Sequence, residues 1–268
     1  MKKAIIFFIF GIIVASGFFM LFQVSKRDSV RNGDPSVGES IERITAVVDG
    51  DKGNNASAKK SMAHIKNIGF NLDYYDPTTK RAGDIQFFKI KMPYDRLLYD
   101  YGHIETIVGQ GGANLHPTFI LPLGTPVRAL IDGVVVNVPK LYSGDYSVQM
   151  TVDGTMNGFI FELEHVKNPL VKAGDRIVAG QIVAEVTDFG GHNYPGYGSV
   201  DIAVFHDSGN GPEHLCPFLY LDPSIKDEID QKIKALYESW EEYMGSDKLY
   251  DEAKHEIPGC IITDPIKG

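Results

Sequence analysis

"NLHPTFILPLGTPVRALIDGVVVNV", residues 114–138, is the stretch that decides the fold class. Gly124 and Pro126 mark a turn, the apolar run after them reads as a strand, and Asp132-Gly133 sends the chain back as Val134 to Val138. Asp-Gly supplies the backbone freedom of a tight turn, and the Val and Ile residues supply a buried face. "VKAGDRIVAGQIVAEV", residues 171–186, repeats the device with Gly174-Asp175 and Ala179-Gly180. Around these, "YSVQMTV", "GFIFELEHV" and "SVDIAVFH" are short runs broken by Gly, Asp and Pro. Such spacing predicts a mainly β barrel or sandwich between about residues 100 and 222.

The flanks read differently. "DIQFFKIKM" at 84–92 alternates like a strand, while Ile41 to Val48 and Ser57 to Ile68 are short helical candidates in an otherwise polar spacer. After Asp222 and Pro223, the residues Ile225, Ile229, Ile233, Leu236, Trp240 and Tyr243 recur every three or four positions. That period predicts an amphipathic helix, whose simplest use is to cover its own domain; docking a partner is the alternative.

Of the 268 residues, 43% are apolar and 23% charged, enough for one sizeable core. The formal net charge is −9, and four of the 26 basic side chains, Lys2, Lys3, Lys26 and Arg27, sit in the first 27 residues. So acidic a remainder repels phosphates, which sets nucleic acid aside as a partner. From Ala4 to Phe22 only Ser16 is polar, and a helix of that length crosses the hydrocarbon of a bilayer. The small residues Ala15, Ser16 and Gly17 lie inside the run, which favours an uncleaved anchor over a signal peptide. The expected address is therefore membrane-anchored and extracytoplasmic. Cys216 and Cys260 in an exported chain can close one disulfide, the alternative being two free thiols. The expected organisation is an anchor at 1–27, a juxtamembrane spacer with a small helical region at 28–83, a β domain at 84–222, and a helix and tail at 223–268.

Taken in order, and followed by "DIAVFHDSGNGPEHLCPFLYL" at 201–221, the two Gly-turn stretches resemble the lysostaphin-type (LytM-like) zinc metallopeptidases. Those enzymes use a duplicated hybrid motif with barrel-sandwich architecture, a fold they share with lipoyl carriers. A carrier needs a Lys at a hairpin between its halves, and neither Asp132-Gly133 nor Asp153-Gly154 offers one.

The resemblance implies a zinc ion held by a His and an Asp four residues apart and by the second His of a His-x-His strand. The first His of that strand, and another in a Tyr-x-His-Leu motif, assist catalysis. Here Asn114 and Thr118 stand at the first His and Asp, Ser199 at the assisting His, and Asp201 at the ligating His. Only His165 in "LEHV" keeps its part, with Leu163 at the Tyr position. A register shift of two promotes His116 to the first His position but puts Ile120 at that of the Asp.

Two readings follow. One is a catalytically inactive peptidase-like domain, without a cofactor, that binds peptidoglycan or a cell-wall hydrolase. Its groove would be lined by Asn114, Thr118, Ser199, Tyr194 and Tyr197, with Tyr101 nearby. The other is a zinc metalloendopeptidase acting on peptidoglycan through a non-standard site, with His116 and Asp201 as metal ligands and His165 as the catalytic group; His192 could join either. A structural or assembly role is a third class.

Overall fold

The computed structural model describes residues 63–89, 95–105, 112–188, 195–207 and 209–268. The apolar run at 4–22, the helical candidate at 41–48, Tyr194 and His192 lie outside them. Among the described residues no helix is long and apolar enough to cross a membrane.

The domain is mainly antiparallel β. Its body is formed by β6 (Thr118–Pro122), β7 (Pro126–Arg128), β8 (Gly133–Asn137), β9 (Tyr146–Thr151), β10 (Ile160–Lys167), β11 (Arg176–Ile177), β12 (Ile182–Val186) and β13 (Tyr197–Asp207). The main path runs β11-β8-β9-β10-β13 and continues into β14 (Pro212–Leu215) and β15 (Ile266–Lys267). β6 joins the free edge of β13, while β12 bridges β10 and β7. The sheet is thus branched and does not close into a barrel, because β10 and β13 change partners along their lengths.

Asp132-Gly133 is not a hairpin turn. β7 pairs with β12, whereas β8 pairs with β9 and β11, so the chain crosses here from one ladder to another. Gly133 is needed for a close approach: a Cβ there would meet the Thr151 carbonyl oxygen at 2.3 Å. Asp132 fastens the crossing by accepting from the Ala179 N–H at 2.9 Å and from the Lys66 ammonium at 2.7 Å.

Two local expectations are corrected. The strand expected at 84–92 is reduced among the described residues to β2 (Ile85–Gln86), which pairs with β1 (Arg81–Ala82), and Phe87 and Phe88 instead enter the core. The described part of the helix expected at 57–68 is extended, Ile65 forming a parallel bridge to Leu221. From Ile65 onward the chain shares the core of the β domain, with Ile65, Ile68 and Phe70 all buried.

The helix α1 (Pro223–Met244) forms as expected. Asp222 caps it by accepting from the Ser224 N–H, and Gly245 ends it in the left-handed conformation. Ile233, Leu236, Tyr237 and Trp240 are buried against the domain, with Trp240 donating to the Asp95 carbonyl at 2.7 Å. Cys216 and Cys260 are joined, their Cα atoms 6.2 Å apart, so the tail is covalently part of this unit.

Candidate functional site

One feature of β10 shapes the site. His165 has φ +59°, a left-handed backbone that a side chain of this kind adopts at a cost, and the β9–β10 register shifts between Leu163 and Val166. Glu164 keeps its place opposite Asp201 in the β10–β13 ladder. The irregularity turns the next side chain, His165, towards the same carboxylate: His165 Nε2 lies 3.7 Å from Asp201 Oδ2. Its other nitrogen, Nδ1, is 2.9 Å from Asp145 Oδ2, and Ser143 donates to the same Asp145 carboxylate. A carboxylate on Nδ1 fixes the tautomer and leaves Nε2 facing the site.

His116 enters from the segment just before β6. Its Nδ1 lies 3.2 Å from Glu164 Oε2 and its Nε2 2.8 Å from His214 Nδ1. Burial opposes charge on His116, but the Glu164 carboxylate outweighs it and raises the pKa. Glu164 is correspondingly lowered: burial pushes it up, and the hydrogen bond and charge of His116 more than reverse that. His214 is pushed down to about 4, by burial and then by the His116 charge. The consistent protonation is therefore an imidazolium at His116 that donates to Glu164 and to a neutral His214. Asp201 is pushed up to about 6 by burial, with His165 and His116 pulling the other way. Beneath them Glu162, raised by burial and by the Glu164 charge, accepts from Ser147 and, at 2.8 Å, from Gln149.

The residues expected to line a groove are dispersed. Asn114 turns to the backbone of β3 (Leu98–Tyr99), donating to the carbonyls of Tyr99 and Asp100 at 3.2 and 3.3 Å. Thr118 pairs with Asp201 across β6 and β13, and its hydroxyl donates to the His116 carbonyl at 3.2 Å. Ser199 is buried, paired with Ile120 and bridged to Thr187. Tyr197 is half-buried, its ring centroid 3.9 Å from that of Phe88. Tyr101 is no platform at all: it is fully buried, and its one hydroxyl hydrogen lies between the carbonyls of His214 at 2.8 Å and Asp264 at 3.0 Å, because the tail closes over it.

His116, His165 and Asp201 do come together. The sequence reading missed Glu164, Asp145 and His214; the first adjoins His165 in "LEHV", but only the backbone irregularity makes two consecutive residues serve one site.

The zinc that the resemblance implies needs nitrogen, sulfur or carboxylate donors. Asn114, Thr118 and Ser199 supply no adequate donor. His116, Glu164 and Asp201 do, since one ligand atom from each lies within 4.8 Å of the other two. Asp201 Oδ1 is buried and has no hydrogen-bond partner among the described residues, and a cation would satisfy it. The residues present thus fit a metal ion, through a different donor set.

Peptidase family M23 matches residues 118–199, a span that begins just after His116 and ends just before Asp201. Among solved structures, the chain is similar to the antimicrobial peptidase lysostaphin from Staphylococcus simulans, at 23% identity over 41% of this chain, with a TM-score of 0.35. It spans only 43% of the length of lysostaphin. It is also similar to the catalytic domain of the prophage-encoded M23 protein EnpA from Enterococcus faecalis, at 23% identity over 50% of this chain and 95% of that one, TM-score 0.35. LytU shows 22% identity over 54% and 91% of the two chains, TM-score 0.37. No curated protein matches the chain.

Proposed function

We propose that the LytM-like domain of peptidase family M23 carried by residues 118–199 serves the cell envelope as a peptidoglycan-binding module built on a peptidase scaffold. The match to the family supports the ligand class, and the apolar run at 4–22 supports the extracytoplasmic, membrane-anchored address. The observation that carries binding over family-type hydrolysis is the fate of two ligand positions, Asn114 and Thr118, and of one assisting position, Ser199. Asn114 is committed to the carbonyls of β3, and Thr118 and Ser199 are hydroxyl residues where the resemblance requires Asp and His. The finer architecture we assign is the duplicated hybrid motif, with β7 to β12 and β8 to β11 as its interlocked pairs.

The Asp145–His165 pair beside His116, Glu164 and Asp201 favours a second reading, a metalloendopeptidase acting on peptidoglycan through the altered donor set. A bound ion would supply Lewis acidity and a water of lowered pKa. The chain's own contribution would be His165, held in one tautomer by Asp145, as the group that takes and returns a proton at Nε2.

The test is co-sedimentation of the purified full-length protein with peptidoglycan sacculi, alongside assay of the supernatant for released fragments with and without added Zn²⁺. Binding without release is the expected result. Metal-dependent release would establish the second reading, and failure to sediment would overturn the first.

A further inference from the structure

We propose that His116, Glu164 and Asp201 form a binding site for one first-row divalent metal ion, with a donor set of one imidazole and two carboxylates in place of the family's two imidazoles and one carboxylate. The proposal rests on the geometry of these residues and stands whether the domain binds or cleaves.

Three features of these residues favour an ion. The first is position: the ligands come from the segment before β6, from β10 and from β13, with Glu164 opposite Asp201 and Asp201 opposite Thr118. Asp201 is therefore flanked on both edges by the segments that carry the other two. Donor atoms bound to one ion at roughly 2.0–2.2 Å stand about 3.4 Å apart in a tetrahedron, so atoms already within 4.8 Å need only small side-chain movements.

The second is the chemistry of the donor groups themselves. Two carboxylates sit directly opposite each other in a ladder, where like charges repel, and one Asp201 oxygen is buried without a hydrogen bond. A divalent cation answers both conditions, and the single imidazolium of His116 answers only part of them. The side chains of His116, Glu164 and Asp201 remain 13%, 20% and 14% exposed, so an ion can enter.

The third is support around the ligands. His214 contacts the second nitrogen of His116, and such outer partners orient a ligating imidazole. Replacing an imidazole by a carboxylate shifts preference towards harder ions, so Mn²⁺ should compete with Zn²⁺ better than it does at a two-imidazole site. Three protein ligands leave a coordination position for water or for a carboxylate or carbonyl oxygen of a bound peptide.

The experiment is isothermal titration of the full-length, metal-stripped protein with Zn²⁺ and with Mn²⁺, repeated for Glu164→Gln and Asp201→Asn. The visible spectrum of the Co²⁺ form is a second readout. One equivalent should bind wild type, each variant should bind at least tenfold more weakly while keeping its circular dichroism spectrum, and the Co²⁺ bands should diminish in both. Wild type that takes up no ion, or variants that bind as tightly as wild type, would overturn the proposal. Sacculus binding by metal-stripped protein is measured separately, so loss of the metal site and loss of the peptidoglycan reading are distinguishable.

Discussion

Glu164 and Asp201 stand directly opposite each other in the β10–β13 ladder, and His116 Nδ1 lies 3.2 Å from the Glu164 carboxylate. Two facing carboxylates in a mostly buried setting are tolerable only with positive charge beside them. His116→Ala removes that charge from the metal-free protein and should lower stability by about 2–3 kcal/mol, below the full cost of breaking a deeply buried pair because both side chains retain some exposure. Thermal unfolding of the metal-stripped variant checks this; an unchanged Tm would mean that the pair carries no net energy.

Asp201 predicts the opposite sign. Its carboxyl is pushed up to about 6 by burial, from an ordinary value of 3.8, so the folded state resists its ionisation. A group of this kind subtracts stability progressively as pH rises from the unfolded value through the folded one, and by a constant amount above that. Asp201→Asn should therefore stabilise the metal-free protein, by about 3 kcal/mol above pH 6.5 and by much less at pH 4. The difference in Tm between variant and wild type, followed from pH 4 to pH 8, is the measurement. A variant less stable than wild type throughout would refute it.

The tail has its own pH dependence. His255 Nε2 lies 3.2 Å from the fully buried Asp100, which also accepts from the Tyr237 hydroxyl of α1. Burial lowers the His255 pKa, but the Asp100 carboxylate beside it outweighs that, and the net shift is upward. Stability from this pair is complete below the ordinary imidazole value of 6.5 and is lost as pH rises through the higher folded value. The Tm of wild type should fall over that range, whereas His255→Gln should show a flatter profile. Parallel profiles would remove the pair from the account.

Reducing the Cys216–Cys260 bridge, which spans a sequence separation of 44, should cost about 3–4 kcal/mol by the chain-entropy model. The tail it holds covers Tyr101, whose hydroxyl also accepts from the Ile266 N–H at 3.0 Å. Paired Cys216→Ser and Cys260→Ser substitutions should shift the denaturation midpoint down and speed hydrogen exchange at Ile266. A midpoint equal to wild type would show that noncovalent contacts alone hold the tail.

Local features were legible where their causes are local. The period of Ile225 to Tyr243, with Asp222 and Pro223 ahead of it, is a helix that caps and buries itself as written. The Gly-turn stretches announced short β strands, although Asp132-Gly133 proved to be a crossing between ladders, since its glycine answers to Thr151, a distant neighbour. The site was legible only in part. His116, His165 and Asp201 stood out as residue types, but Glu164 belongs with them because of a left-handed backbone at His165 that no short-range pattern announces. His214 and Asp145 arrive through β14 and a loop, by long-range topology. The partners of Asn114, the carbonyls of Tyr99 and Asp100, are likewise set by long-range topology.

The central claim is that His116, Glu164 and Asp201 hold one metal ion through a donor set other than the one the resemblance implies, and anomalous diffraction from crystals soaked in Zn²⁺, recorded on both sides of the zinc edge, tests it most directly. The account predicts one peak per chain, about 2.0–2.2 Å from a ring nitrogen of His116 and from carboxylate oxygens of Glu164 and Asp201. No peak there, or a peak held by other residues while His116 Nδ1 stays 3.2 Å from the Glu164 carboxylate, would contradict it.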